Sequence, residues 1–149
     1  MDAETLTHRL ILPRDANHHG TLYAGVLLSL ALEAGYATAY RSAGTRANLV
    51  LKRVLDLQCF EPVAVGRVVE IRGMEVRRAR AMVVIALHGT CLGGRRSGPW
   101  MDGLMQFVQV DTEGHPEPLE VEPPAEPSTL AEPWGKLAER ATRLLAIRR

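Results

Sequence analysis

Aromatic residues make up only 5% of this 149-residue chain, and no stripe of lysine and arginine is interleaved with them. A surface without stacking rings or basic tracks lacks both contacts that hold single-stranded nucleic acid. Net charge is +1, so no excess of either sign points to nucleic acid or an anionic membrane as a partner. Cysteine is scarce: Cys59 and Cys91 stand alone, without C-x-x-C spacing. They read as reduced residues in or near the core of a cytoplasmic protein. The opening MDAETLTHRL has acids where a secretory signal needs basic residues, and no apolar stretch follows it. The longest apolar run, Tyr23 to Leu32, contains Ser29 and falls well short of the roughly 20 residues of a membrane span. A soluble, cytoplasmic protein with no membrane partner is expected. With 46% hydrophobic and 23% charged residues, the chain has the composition of an ordinary globular domain.

What is present falls into alternating runs. Residues 5–12 carry a short apolar stretch before Pro13, which predicts a first strand at a sheet edge. Residues 14–21, RDANHHGT, are turn-formers and predict a loop. Residues 22–44 are rich in Leu and Ala and end in Gly44, which predicts a helix of about five turns with a glycine stop. Few polar residues interrupt it, so it is expected to be buried on most sides. Ser29, Glu33, Tyr36 and Tyr40 recur at helical spacing and form one polar line along it.

Four β-like runs follow, at 47–60, 66–78, 80–92 and 104–111, joined by the tight connections EPVAVG and VRRAR and by a Gly-rich loop at 93–103. Residues 112–133 are rich in Pro and Glu and predict a linker or extended wrap. Residues 133–149 predict an amphipathic helix with basic residues near its C-terminus. The chain thus divides into a main unit at 1–122 and a linker with terminal helix at 123–149. The class is α+β: an antiparallel sheet curled round one apolar helix. Such a unit leaves a sheet edge and a helix flank uncovered, which predicts at least a homodimer.

Three segments carry a more specific signal. The first runs from Pro13 through Asp15, Asn17, His18, His19, Gly20, Tyr23 and Gly25 to Leu32, Glu33 and Ala34; the others are CFEPVAVGRVVEI (59–71) and FVQVDTEGHPEPL (107–119). In this order and spacing they resemble the hotdog-fold acyl-CoA thioesterases, in particular the acyl-CoA hydrolase branch, over roughly residues 8 to 122. The resemblance implies a hotdog fold, with a curved antiparallel sheet of about five strands round one long central helix. It also implies hydrolysis of an acyl-CoA thioester to carboxylate and CoA at a dimer interface. The protein would be a homodimer or a larger tetramer or hexamer, and would need no cofactor beyond the coenzyme A of its substrate.

The resemblance also suggests roles. Asn17 matches the family's loop asparagine, which holds water or the thioester. The Gly25 N–H, at the start of the helix, would polarise the thioester carbonyl, as donors at helix N-termini do. His18, His19 and Gly20 belong to the loop beside the substrate. Adjacent histidines without Cys, Asp or Glu at ligand spacing do not make a metal site. Arg77, Arg78 and Arg80 stand where the family binds the nucleotide, and arginine forks suit its phosphates; a solvated hairpin tip is the plain alternative.

The sequence departs from the family at one decisive place. The family's catalytic Asp position is Leu32, and Glu33 is the adjacent residue, rotated by about 100° and displaced by about 1.5 Å along the helix. Two readings follow. In the first, Glu33 is the general base of a thioester hydrolase together with Asn17 and Gly25. In the second, the chain is a non-catalytic acyl-CoA or acyl-carrier binding protein. Simpler roles stand beside these: Asn17 as a loop or helix cap, and Glu33 as a structural group at the dimer interface.

Overall fold

The computed structural model of the chain describes residues 4–93, 98–119 and 129–147. The elements run β1 (Thr5–Leu10), a 3-10 turn (Pro13–Asp15), α1 (Ala24–Ala43), β2 (Leu49–Cys59), β3 (Val68–Arg78), β4 (Met82–Cys91), β5 (Met101–Gln109) and α2 (Trp134–Ala146). The five strands form one antiparallel sheet in the order β1-β3-β4-β5-β2, so β1 and β2 are its edges. This is the hotdog arrangement expected from the sequence, a curved sheet holding the long helix.

Strand alternation sorts the side chains to two faces. Val69 and Ile71 of β3, Val83, Ile85 and Leu87 of β4, and Met101, Met105 and Phe107 of β5 point inward against Leu30, Ala31, Ala34, Ala39 and Ala43 of α1. The helix buries its small residues, which brings its backbone close to the sheet. At the crossing with β3, a Cβ on Gly73 would stand 2.2 Å from Thr38 Oγ1, so only glycine fits there. Thr38 in turn hydrogen-bonds the hydroxyl of Thr5 on β1. Burial on most sides is not what the chain achieves. One sheet covers one flank of a helix, and the other flank presents Leu28, Ser29, Glu33, Tyr36 and Tyr40 at the surface.

The terminal helix finds its place on the opposite face. Val76, Val84, Ala86 and Leu104, the outward residues of β3, β4 and β5, pack against Trp134, Leu137, Ala138 and Ala141 of α2. Ion pairs fasten its rim: Arg140 Nη1 donates to Asp56 Oδ2 at 3.0 Å and to Asp102 Oδ1 at 2.9 Å. At its start, Trp134 Nε1 donates to Glu4 Oε2 at 2.7 Å, and the Arg72 guanidinium lies 5.5 Å over the indole. The sheet is therefore sandwiched, which explains why β5 buries nearly every residue and β4 the whole run from Val83 to Leu87.

Beneath α2, His88 packs edge-on to Trp134, and its Nδ1 is buried without a hydrogen-bond partner among the described residues. Burial, reinforced by Arg72, lowers the His88 pKa below its ordinary 6.5, while Asp102 and Glu4 pull in the opposite direction. Between the lowered folded value and the unfolded value of about 6.5, the unfolded chain binds more protons, so stability falls as pH drops through that window. The melting temperature is expected to decline as pH falls below about 6.5. His88→Gln should flatten that part of the slope; an unchanged slope would acquit His88 as its source.

Three local expectations change. Met101 to Gly103, expected in the 93–103 loop, already belong to β5, and Trp100 before them is fully buried. Residues 94–97 of that loop lie outside the described residues. Cys59 is exposed on the edge strand rather than near the core, whereas Cys91 is half-buried and its thiol pKa is raised by burial. The start of the Pro/Glu-rich segment is tied to the sheet: Val110 bridges Pro116, and the Leu119 N–H donates to the Arg80 carbonyl. Its middle, 120–128, which includes the expected boundary at 122/123, lies outside the described residues.

Candidate functional site

The loop entering α1 is built by two short side chains. Asn17 folds an Asx turn: its Oδ1 accepts from the His19 N–H at 2.9 Å, the Thr21 N–H at 3.2 Å and the Thr21 hydroxyl at 3.2 Å. The Asn17 N–H donates to the Thr21 carbonyl at 2.8 Å, and Ala16 bridges Leu22 to close a miniature hairpin. Gly20 takes the left-handed conformation at its tip, φ 78°. The two backbone donors fix the orientation of the Asn17 amide. Its oxygen is spent inside the loop, so Asn17 can offer a ligand only the two hydrogens of Nδ2. The capping role and the site role thus belong to opposite ends of one side chain. His18 and His19 sit exposed at the tip, their rings 3.9 Å apart between centroids.

The hairpin leads directly into the N-terminus of α1, which is uncapped. Tyr23 stands at the N-cap without a side-chain hydrogen bond, and the first turn has no acidic residue. The Leu27 N–H is satisfied by the Tyr23 carbonyl, while the N–H groups before it in the helix have no intrahelical acceptor. The Tyr23 ring lies against Gly25: a Cβ there would stand 2.6 Å from the ring. The absence of a side chain at Gly25 keeps the backbone reachable beside an exposed aromatic. Unpaired donors at the positive end of a helix attract an oxygen that gains negative charge.

Along the helix, Glu33 and Leu32 part company. Leu32 is half-buried and packs against the inner core. Glu33 is exposed, has no hydrogen bond or ion pair to any described residue, and shares its flank with Ser29, Tyr36 and Tyr40. At the other end of the sheet, edge strand β2 exposes Val50, Leu51 and Val54. An unpaired strand edge carrying apolar residues is a docking surface by its own chemistry.

The three arginines do not form one cluster. A register shift between Glu75 and Arg77 interrupts the β3–β4 ladder, and such a bulge turns successive side chains off their alternation. Arg77 reaches α2, where Nη1 donates to Thr142 Oγ1 at 3.1 Å. Arg78 goes to the α1 side. It is buried, with its fork on both oxygens of Glu75 at 2.6 and 2.7 Å and Nη2 on the Ser42 carbonyl at 3.1 Å. The Nε and Nη2 of Arg78 are thus committed to a buried carboxylate and a helix carbonyl, where the sequence reading expected a phosphate contact. Arg80 remains exposed in the β3–β4 turn.

The sequence reading did not single out Asp15 or Tyr23 as site residues. Asp15 lies two places before Asn17 in a run of turn-formers, a position that signals a loop but not its buried partners. Among the described residues, no group of three or more His, Cys, Asp or Glu side chains is placed to hold a metal ion.

Several solved structures have the same fold. The acyl-CoA hydrolase of Bacillus cereus superposes with a TM-score of 0.83 at 18% identity, over 98% of this chain and 86% of its own. The acyl-CoA hydrolase of Staphylococcus aureus, in complex with butyryl coenzyme A, coenzyme A and coenzyme A disulfide, gives 0.82 at 18% identity, over 97% and 85%. An apo-hexameric acyl-CoA thioesterase gives 0.80 at 25% identity, over 97% and 89%. No curated protein sequence matches the chain. The family model described as the thioesterase superfamily matches residues 19–97, from His19, just after Asn17, through β4, and with the five-stranded sheet holding a helix whose N-terminus is open it establishes that the chain belongs to the thioesterase superfamily.

Proposed function

We propose that the chain binds an acyl-CoA thioester at the N-terminus of α1 and hydrolyses it to a carboxylate and CoA. The observation that carries this reading is the uncapped first turn of α1 beside Gly25 and the Asn17 hairpin. The thioester carbonyl would accept from the free N–H groups of that turn, including Gly25. Their dipole favours the oxyanion as water adds. Nδ2 of Asn17, the only end of that amide left free, donates to the carbonyl or to the attacking water. Glu33 is the base, since it is an unpaired carboxylate on the open flank of the same helix. The exposed β2 edge and the Tyr36–Tyr40 flank support a homodimer as the active form, and the hexameric relative makes a larger assembly consistent with it. Arg80 is the remaining turn arginine for the CoA phosphates, and His18 and His19 flank the entry. No cofactor is needed beyond the CoA of the substrate, and the cytoplasm suits such a substrate.

The test is turnover of a panel of acyl-CoAs, followed with a thiol reagent; release of CoA no faster than in buffer would refute hydrolysis. Asn17→Asp isolates the donor. The carboxylate still accepts the His19 and Thr21 hydrogens, so the hairpin stays folded, but it cannot donate. Loss of one such donor is expected to lower kcat about 10²-fold. Unchanged turnover would leave Asn17 with its turn alone.

A second reading is favoured by the packing of Leu32 into the core at the family's acid position. In that reading the chain binds acyl-CoA or an acyl carrier without cleaving it. Micromolar binding by calorimetry with no release of CoA would select it.

A further inference from the structure

A buried carboxylate lies between β1 and the loop that enters α1. Asp15 is 3% exposed, at the end of the 3-10 turn between β1 and the Asn17 hairpin. Its Oδ1 takes the Arg9 guanidinium at 2.8 Å, and its Oδ2 takes the Leu12 N–H at 2.9 Å. Its backbone carbonyl takes the N–H of Tyr23, the N-cap of α1, at 2.8 Å. Arg9 belongs to β1, and Ile11 next to it is bonded in both directions to the chain before β3, its N–H to the Arg67 carbonyl and its carbonyl to the Gly66 N–H. A continuous set of hydrogen bonds therefore runs from the sheet through Asp15 to the first residue before α1.

We propose that Asp15 is a positioning residue: held by Arg9 and Leu12, it fixes the angle between the Asn17 hairpin and the open N-terminus of α1. The proposal rests on the reading of that N-terminus as the thioester site. The physical argument is one of geometry. Asn17 closes the hairpin on itself, between residues 16 and 22, and one side of the hairpin bonds the segment before β3: the Leu22 N–H donates to the Val63 carbonyl at 2.8 Å and the Val65 N–H to the Gly20 carbonyl at 3.1 Å. Asp15 adds the tie that those bonds lack, because its carboxylate bonds the strand before the hairpin and its backbone carbonyl bonds the residue that starts the helix after it. A buried carboxylate is costly unless every oxygen is matched, so the Asp15 pocket admits one arrangement and resists drift. An apolar residue would fill the same volume, but it would not tie the position of Tyr23 to that of Arg9. Displacement of a polarising donor by about 1 Å can cost 10²-fold in rate.

The test compares Asp15→Asn with Arg9→Met and Arg9→Lys in the full-length chain. Asp15→Asn keeps the size and an acceptor for Leu12 but discharges the pair. Arg9→Met removes the partner and leaves Asp15 intact, and so stands in if the first variant folds poorly. Per folded molecule, kcat should fall at least tenfold in Asp15→Asn and Arg9→Met with a smaller change in KM, and Arg9→Lys should recover part of the loss. A residue that only supports the fold would lower the melting temperature and leave kcat per folded molecule alone, and that result would overturn the proposal.

Hydrogen exchange separates this from failure of the hydrolase reading. In Asp15→Asn the amides of Thr21 and Tyr23 should exchange faster while those of β3 to β5 are unmoved. If the wild-type chain cleaves no acyl-CoA, hydrolysis is lost as the function, and exchange then decides alone. Unaltered protection at Thr21 and Tyr23 would reject Asp15 as the link.

Discussion

Leu32→Asp is expected to raise acyl-CoA hydrolysis about a hundredfold over the wild-type chain. The gain is that of a general base placed where the family carries its acid, an effect of ~10²–10⁴ for a well-positioned group. Position 32 suits such a base physically. It lies at the seam between the residues of α1 that meet the core and those that face out, so it is half-buried and touches the inner cluster. A carboxylate there is partly desolvated, which moves its proton affinity toward neutrality, the range in which a base is most effective. Glu33 is fully on the open flank, and its extra methylene only partly offsets the rotation between adjacent helix positions. The cost is the lost packing of Leu32, about 1–3 kcal/mol, to be checked by melting. Glu33→Ala in the wild-type background assigns the base now in use, since its rate should fall if Glu33 acts. A Leu32→Asp chain that folds and binds acyl-CoA yet shows no faster CoA release would sink the assignment of this pocket as the reacting centre.

Glu75→Ala should cost about 3–5 kcal/mol of stability. The side chains of Glu75 and Arg78 are 4% and 6% exposed, and the carboxylate is gripped by both nitrogens of the fork. Removing the acid takes from a buried guanidinium the carboxylate that holds its Nε and Nη2. For a chain of this length, each kcal/mol is worth roughly 2–4 °C of melting temperature, so the shift is easily read. Replacing both partners, Glu75→Met with Arg78→Leu, should recover most of the loss, because two apolar groups leave no charge stranded. A loss under ~1 kcal/mol for Glu75→Ala would mean that the pair is solvated. The same variants bear on the ligand: the double variant should leave KM for acyl-CoA unchanged, whereas Arg80→Ala should raise it.

The fold was largely legible because its signals are local. The apolar run at 22–44, its glycine stop and the alternating runs after it each report on a few neighbouring residues, and local periodicity decides element type. The short strand before Pro13 and the amphipathic pattern from Trp134 were readable for the same reason. The start of β5 was not, because Met101 to Gly103 follow a Gly-rich segment, and they are in a strand only because β2 and β4 supply ladder partners on both sides. The distinction between exposed Cys59 and half-buried Cys91 also depends on which strand lies at the edge.

By itself the sequence determined the order of the elements and the turn-forming character of the loop that carries Asn17 and Gly20, which follow from residue type and spacing along a single segment. The role of Gly25 and the missing acid at Leu32 are read only against the family that the chain resembles. Tertiary structure alone decided which end of the Asn17 amide is free, that Asp15 links Arg9 to Tyr23, that Arg78 turns inward while Arg77 reaches α2, and that α2 covers the outer face of the sheet. Each of those depends on a partner brought near by folding, or on a one-residue slip of register that reverses the direction of every side chain beyond it.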